Sequence, residues 1–378
     1  MGVVGDNGDM TARPLAAIVL AAGEGTRMRS SVPKPLHRIC GRPLVLHVID
    51  ALAELSVERV VVVGYRSAEV TKTLQAEAPP ELRMEFVEQF RPLGTGDACA
   101  VGLTGFPETY AGVEDGDLVV LPGDAPLVRP ATLAALVRAH RSSEAAATLL
   151  TARVGDPYGY GRVVRAKDGD VARIVEEADA TDEERRIDEI ATSIYCFRHG
   201  VLAPALRRLS PANAQGEYYL TDAVDVLHSA GYPVGSVVVA DPGEAAGVND
   251  RAQLAAAESQ MRERINDRWM RRGVTMSDPR QTYLDSSVEL AEDVTLLPGV
   301  VLEGATSIGR GAVVGPTCQL ADCKVGAGAR VIQTVGRQAL VGDDARVGPF
   351  AVLEPGTRLA PGSSTGPFFV GSPDASGC

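Results

Sequence analysis

The stretch Ala16–Leu36, AAIVLAAGEGTRMRSSVPKPL, decides the fold. Ala16–Leu20 is an unbroken apolar run, the pattern of a strand buried on both faces of a parallel sheet. It empties into a turn holding Gly23 and Gly25, then Thr26, Arg27 and Met28, with Lys34 framed by Pro33 and Pro35. Glycines just after a strand let backbone N–H groups approach a phosphate closely, because no Cβ intervenes. Arg27 and Lys34 add positive charge beside that backbone. Two familiar phosphate loops are excluded. No Gly-Lys-Ser/Thr follows, and Met28 stands where a dinucleotide fingerprint needs its third glycine. Taken alone, two glycines after a strand also suit a plain turn.

Outward from that stretch, apolar strands alternate with helical patterns. Pro43–Leu55, Ser67–Ala76 and Asp97–Leu103 read as helices, and Arg59–Val63, Glu85–Val87 and Leu118–Leu121 as strands. This alternation predicts a mostly parallel sheet with helices on both faces, and in such sheets ligands sit outside the strands' carboxyl ends. The loops after Leu20, Gln89 and Leu121 all open on that edge. From Ala145 the texture turns antiparallel, with strands at Ala146–Ala152, Gly161–Val164, Val171–Glu176 and Ile190–Phe197; Asp179–Arg186 reads as a polar, mobile loop. Ser236–Val239 is a further strand, and a long helix runs from Arg251 to about Arg272.

Beyond Asp285 an internal repeat takes over. Leu290, Leu296, Leu302, Ile308, Val314 and Leu320 recur every six residues, and after a slip the spacing returns at Val341, Val347, Leu353 and Leu359. Six is neither a helical nor an alternating period. It fits hexapeptide coils, in which each face of a triangular β-helix takes one repeat.

Composition bounds the function. The 378 residues carry a formal net charge of −12, which speaks against a non-specific nucleic-acid or anionic-membrane binder. Six scattered cysteines without a C-x-x-C pair read as free thiols in a reducing compartment. No stretch reaches the ~18 apolar residues of a membrane span, and Met1–Arg13 has no apolar signal core, so a cytoplasmic location is expected.

With these strings assembled, the chain resembles the N-acetylglucosamine-1-phosphate uridylyltransferase domain of a bacterial bifunctional enzyme, whose other half is a glucosamine-1-phosphate acetyltransferase. The resemblance rests on Leu20–Met28, Pro33–Pro35, Leu93-Gly94-Thr95-Gly96, Gly123-Asp124, Tyr158–Arg162, Ile174–Glu176, Asp179–Asp182, Asn213–Tyr219 and Gly247–Asn249. It implies an α/β fold. A Rossmann-like nucleotidyltransferase domain with a mostly parallel sheet occupies residues 14–250, after a disordered tail at 1–13. A linker helix (251–273), a short, truncated left-handed parallel β-helix (274–362) and a flexible tail (363–378) follow. In the implied site, the backbone of Leu20, Ala21, Ala22 and Gly23 meets the nucleotide, with Gly123 beside it. Arg27 and Lys34 act on the phosphates, and Gln89, Gly94 and Thr95 frame the base. Asp124 and Asn249 hold Mg²⁺, and Gly161 and Glu176, with Asn249, face the sugar. Local alternatives exist: Lys34 suits a solvated turn, Asp124 and Asn249 suit helix caps, and Glu176 suits a strand-end surface charge.

The chain departs from the family pattern on the sugar side. Ala191 stands where the family string Glu-Ile-Asn-Thr has an asparagine expected to bond the sugar, a loss worth about 1–3 kcal/mol if a partner is left unsatisfied. Ala178 replaces an expected basic residue, and Pro122 precedes Gly123 where tyrosine can stand. The expectation is a Mg²⁺-dependent uridylyltransferase taking UTP and a sugar 1-phosphate, N-acetylglucosamine 1-phosphate first, and assembled as a homotrimer. No acetyl transfer is expected, because no histidine follows His228. The alternatives are transfer to another sugar- or cyclitol-phosphate in a specialised pathway, and a catalytically silent trimeric scaffold.

Overall fold

The computed structural model describes residues 13–64, 68–106 and 116–372. By its internal contacts the chain divides into two units. One comprises residues up to His37 with Leu44–Arg251; the other comprises Arg38–Pro43 with residues from Ala252 on. Strands run in chain order as β1 (Leu15–Ala21), β2 (Arg38–Ile39), β3 (Arg42–Pro43), β4 (Arg59–Gly64), β5 (Met84–Glu88), β6 (Asp117–Pro122), β7 (Ala147–Arg153), β8 (Arg162–Arg165), β9 (Val171–Val175), β10 (Glu189–Arg198) and β11 (Val234–Val238). Helices are α1 (Leu44–Ala53), α2 (Ala68–Glu77), α3 (Thr95–Leu103), α4 (Pro130–Ser143), α5 (His199–Leu206), α6 (Asp222–Ser229) and α7 (Arg251–Arg271). The expected start of α2 at Ser67 lies outside the described residues.

The first unit is one sheet in the order β11-β7-β10-β6-β1-β4-β5, with β8 joined to β10 and β9. β1 lies between β4 and β6, parallel to both, and β5 is parallel to β4. Their carboxyl ends therefore share one edge, as the three loops required. Alternate residues of β1 enter two different cores: Leu15, Ala17 and Val19 pack with α1 and α4, Ala16 and Ile18 with α3, α5 and α6. A strand covered on both faces has no position for a polar side chain, which explains its continuous apolar run. β10 is antiparallel to β6 and β7, and it bulges between Ala191 and Tyr195.

Asp179–Arg186 is not the mobile loop expected. Thr181 and Glu184 bond reciprocally, Thr181 N–H to Glu184 Oε2 (2.9 Å) and Glu184 N–H to Thr181 Oγ1 (3.3 Å), and Arg173 pairs with Glu184 (2.6 Å). This is a capping box, and with Arg173 it holds the Glu184 carboxyl down at about 2.

The second unit is a three-faced stack of short parallel strands, with the architecture of the expected left-handed β-helix. Leu296, Val314, Val331 and Val347 stack on one face. Their spacing shrinks from eighteen residues to seventeen and then sixteen, and this contraction is the slip seen in the sequence. Where the coil is shortest, Gly336 takes the inward position between Leu320 and Leu353. Ile265 and Trp269 of α7 join this core, and the amide of Asn266 donates to the carbonyls of Pro279 (2.8 Å) and Thr282 (3.0 Å).

The domain limits read from sequence change in three places. The β2–β3 hairpin belongs to the second unit, where Cys40 N–H donates to Glu258 (2.7 Å) and Cys40 C=O accepts from Ser286 (2.9 Å). From Ala252, α7 is part of that unit rather than a linker. Residues 363–372 continue the stack: Val370–Gly371 pairs with Val352–Leu353, and Thr365 Oγ1 accepts from Gly348 N–H (3.0 Å). Their Ser, Gly and Pro content builds corners, not a tail. Of the disordered tail expected at 1–13, Arg13 is held, its C=O accepting from Arg141 (2.6 Å); residues 1–12 and 373–378 lie outside the described residues.

A Cβ at Gly336 would sit 3.1 Å from Leu320 Cδ2. Gly336→Leu, which would complete the apolar repeat on paper, should therefore overpack the contracted coil and cost about 1–3 kcal/mol. A lowered thermal midpoint checks this; an unchanged or raised midpoint would show that the coil has room.

Candidate active site

The carboxyl edge of the sheet opens into a cleft of about 990 Å³. Every residue expected in the site lines it: Leu20, Ala21, Ala22, Gly23, Arg27, Lys34, Gln89, Gly94, Thr95, Gly123, Asp124, Gly161, Glu176 and Asn249. Pro122, Ala178 and Ala191 line it as well.

On the wall formed by the loop after β1, Gly25 has φ 64, and a Cβ there would fall 2.6 Å from Lys34 Cβ. Only glycine lets the loop after β1 pass so close to the Lys34 turn. The Lys34 ammonium then bonds both the Asp124 carboxylate and Asn249 Oδ1, the latter at 2.7 Å, and Arg27 Nη2 donates to the same Asn249 oxygen (3.1 Å). Lys34 and Asp124 are largely withdrawn from water, with side chains 12% and 21% exposed. Backbone bonds fix the acceptors: Gly123 N–H to Leu20 C=O (2.9 Å), and Val248 N–H to Asp124 C=O (2.9 Å). The solvated-turn reading of Lys34 is thereby removed.

On the opposite wall, Gln89 is buried, and its amide donates to Asp97 Oδ2 (2.6 Å) and Gly94 C=O (3.3 Å). Gly94 has φ 109, and a Cβ there would meet Tyr218 C=O at 2.5 Å. The segment at Tyr218–Leu220 braces this loop: Gly96 N–H donates to Tyr218 C=O (2.7 Å), and Leu220 N–H to Thr95 Oγ1 (3.0 Å). The Thr95 hydroxyl thus has a bracing partner within the protein, beyond the binding role expected of it.

The third wall carries Gly161, Glu176, Ala191 and Ser193. Glu176 Oε1 accepts from the Thr221 hydroxyl (2.9 Å). Burial pushes its carboxyl above the usual range; the Thr221 bond opposes this, and Asp222 and Asp179 add to it. Behind the wall, Arg162, only 2% exposed, pairs with Glu177 (2.6 Å) and donates to Tyr160 C=O, and Glu177 also accepts from Gly159 N–H (3.2 Å). The Gly159–Gly161 turn is therefore clamped by a buried Arg162 and by Glu177, which itself lines the cleft. Sequence reasoning assigned no role to Thr221, Glu177 or Arg162. Only the basic side chain inside the Tyr-Gly-Tyr-Gly-Arg string hinted at the clamp.

The pattern of a MobA-like NTP transferase domain matches residues 17–224. The bifunctional protein GlmU of Desulfitobacterium hafniense is 45% identical over 344 residues, covering 90% of this chain and 73% of the relative. That of Streptomyces avermitilis is 46% identical over 358 residues (94% and 73%), and that of Mycolicibacterium vanbaalenii 43% over 358 (94% and 72%). The chain belongs to the GlmU family. It is accordingly an enzyme, a sugar-1-phosphate nucleotidyltransferase of the UDP-N-acetylglucosamine diphosphorylase type. The GlmU relatives are named as bifunctional and the match extends through the β-helix, so the expectation of no acetyl transfer has no support and is withdrawn. Among the described residues no helix is long and apolar enough to cross a membrane.

Because the folded carboxyl of Glu176 is raised, its ionised form weakens the fold. The stability of the protonated form is present at low pH and lost as pH rises through the folded value. Glu176→Gln keeps an oxygen for Thr221 and removes the charge. It should raise the thermal midpoint at neutral pH, with the gain fading as pH falls towards the ordinary carboxylate range. A gain independent of pH would contradict the assignment.

Proposed function

We propose that this GlmU-family chain transfers a uridylyl group from UTP to N-acetylglucosamine 1-phosphate. The observation that carries the reading is the convergence of Arg27, Lys34, Asp124 and Asn249 at the mouth of the parallel strands. A phosphate oxygen of the sugar phosphate attacks the α-phosphorus, the bond from that phosphorus to its bridging oxygen breaks, and pyrophosphate leaves with the electron pair. Both reactants are anions, so positioning and charge neutralisation carry the catalysis. An ammonium has three donors and the Lys34 partners take two, which leaves a donor direction for a phosphate oxygen. Arg27 offers a planar fork to the same phosphates. The backbone of Leu20–Gly23 with Gly123 lines the nucleotide wall, and Gln89, Gly94 and Thr95 form the base wall. Gly161 and Glu176 face the sugar.

Asp124 and Asn249 fit Mg²⁺. Their two oxygens already surround one cationic centre, the Lys34 ammonium, and so sparse an oxygen set suits a metal that keeps several waters. When bound there, Mg²⁺ would neutralise phosphate charge. Pyrophosphate release with Mg²⁺, UTP and a panel of sugar 1-phosphates tests the reading. Asp124→Ala should lower turnover roughly a hundredfold or more while the protein stays folded. Unchanged turnover in that variant, or no turnover by the wild type with any acceptor, overturns the proposal. Turnover with a different acceptor alone would favour the second reading. The specific observation behind it is that the cleft wall carries the methyl of Ala191 and no hydrogen-bonding side chain at that position.

A homotrimer is part of the proposal. On one face of the β-helix the outward residues Val335, Val352 and Val370 are exposed, and the exposed rings of Phe350 and Phe368 stack beside them, 5.3 Å apart. A stripe of this kind marks an interaction surface. Light scattering should give three copies, and Val352→Asp with Val370→Asp should give one; a monomeric wild type would dismiss the assembly.

A further inference from the structure

Arg251 stands two residues after Asn249, at the first position of α7. Its Nε donates to Met28 C=O (3.2 Å) and its Nη1 to Nδ1 of His37 (3.3 Å). A guanidinium has no acceptor, so the imidazole Nδ1 accepts. Met28 closes the single 3₁₀ turn Thr26–Met28 that carries Arg27, and His37 follows the 3₁₀ turn Lys34–Leu36 that begins with Lys34. One planar guanidinium therefore spans both cation-bearing turns.

Those turns need holding. The first is bounded on both sides by left-handed backbone, Gly25 at φ 64 and Arg29 at φ 48, and the second of these is not glycine. Such a conformation persists only when its surroundings over-determine it. The buried Met28 side chain fixes one side of the turn and Arg251 fixes its last carbonyl. Arg27 and Lys34, both cationic, share one amide oxygen and repel each other. A third cation beside them is tolerated because it faces a carbonyl and an imidazole that burial and Arg251 itself keep neutral.

We propose that Arg251 is a positioning residue, holding the Arg27 and Lys34 turns at the separation at which both cations meet one triphosphate. This rests on the uridylyl-transfer reading. The test measures kcat and KM for UTP with the full chain, Mg²⁺ and the accepted sugar 1-phosphate, in Arg251→Met and Arg251→Lys, and again for Arg251→Met in an Arg27→Ala background. Arg251→Met should lower kcat roughly tenfold to a hundredfold with the thermal midpoint unchanged. Arg251→Lys, a point charge that cannot span two acceptors, should show an intermediate loss in kcat. In the Arg27→Ala background the same change should cost less than it does in the wild type, because one of its two routes to the phosphates, the Arg27 turn, is already gone while the Lys34 turn remains. Equal losses in both backgrounds overturn the inference, as do wild-type kinetics in both single variants. Wild-type kinetics in Arg251→Lys also overturn it if Arg251→Met fails to fold. A wild type without turnover sinks the uridylyl-transfer reading and this inference together, whereas turnover insensitive to Arg251 sinks the inference alone.

Discussion

The Lys34 ammonium between the Asp124 carboxylate and the Asn249 amide is the interaction on which the site depends. Its members come from three distant places in the chain, and Lys34 and Asn249 are 215 residues apart. Removing one partner from a shielded ion pair strands the other charge, which costs more than the pair contributes to stability. The group is therefore better read as a site assembled for a ligand than as a device for holding the fold. What keeps it together is the backbone beneath. β1 and β6 run in parallel register with Leu20 opposite Pro122, so the loops that follow must emerge side by side.

That register follows from burial. A strand covered on both faces by helices cannot slip by one residue without exchanging two packed sets, Leu15, Ala17 and Val19 for Ala16 and Ile18. The apolar run at the start of the chain therefore fixes the relative height of Gly23 and Asp124. Packing is converted into the placement of charges at the carboxyl edge, where Lys34 is largely withdrawn from water and acts more strongly on an anion than it would in solution.

Much of this was legible in sequence because it is local. The run Ala16–Leu20, the glycines after it and the six-residue period each report a repeating environment, and each corresponds to an element. All fourteen expected site residues meet in one cleft, since a parallel sheet leaves its following loops only one edge to share. Interactions set by long-range register were not legible. Nothing near Arg38–Pro43 shows that its partners are Glu258 and Ser286. The corners at 363–372 resemble a tail because Ser, Gly and Pro serve both purposes, and only pairing with Val352–Leu353 separates the two. The polar segment at Thr181–Glu184 carried a capping box, a local signal that composition alone obscured.

The cleft walls differ in how their shape is held. The wall carrying Gln89, Gly94 and Thr95 depends on side chains inside the cleft: Gln89 is tied to Asp97, and the Thr95 hydroxyl to Leu220, so a change there disturbs the loop itself. The wall carrying Gly161 and Glu176 is held by Arg162, Glu177 and Arg185 around the Gly159–Gly161 turn, and of these Glu177 also lines the cleft. Ala178 and Ala191 then present small surfaces to the cleft and make no side-chain bonds of their own, since alanine has no polar side-chain atom. Substitution at those two positions would change the cleft lining without removing a hydrogen bond or ion pair of the clamp. On the uridylyl-transfer reading proposed above, a change at Ala178 or Ala191 would therefore act on acceptor choice before it acted on the shape of the wall.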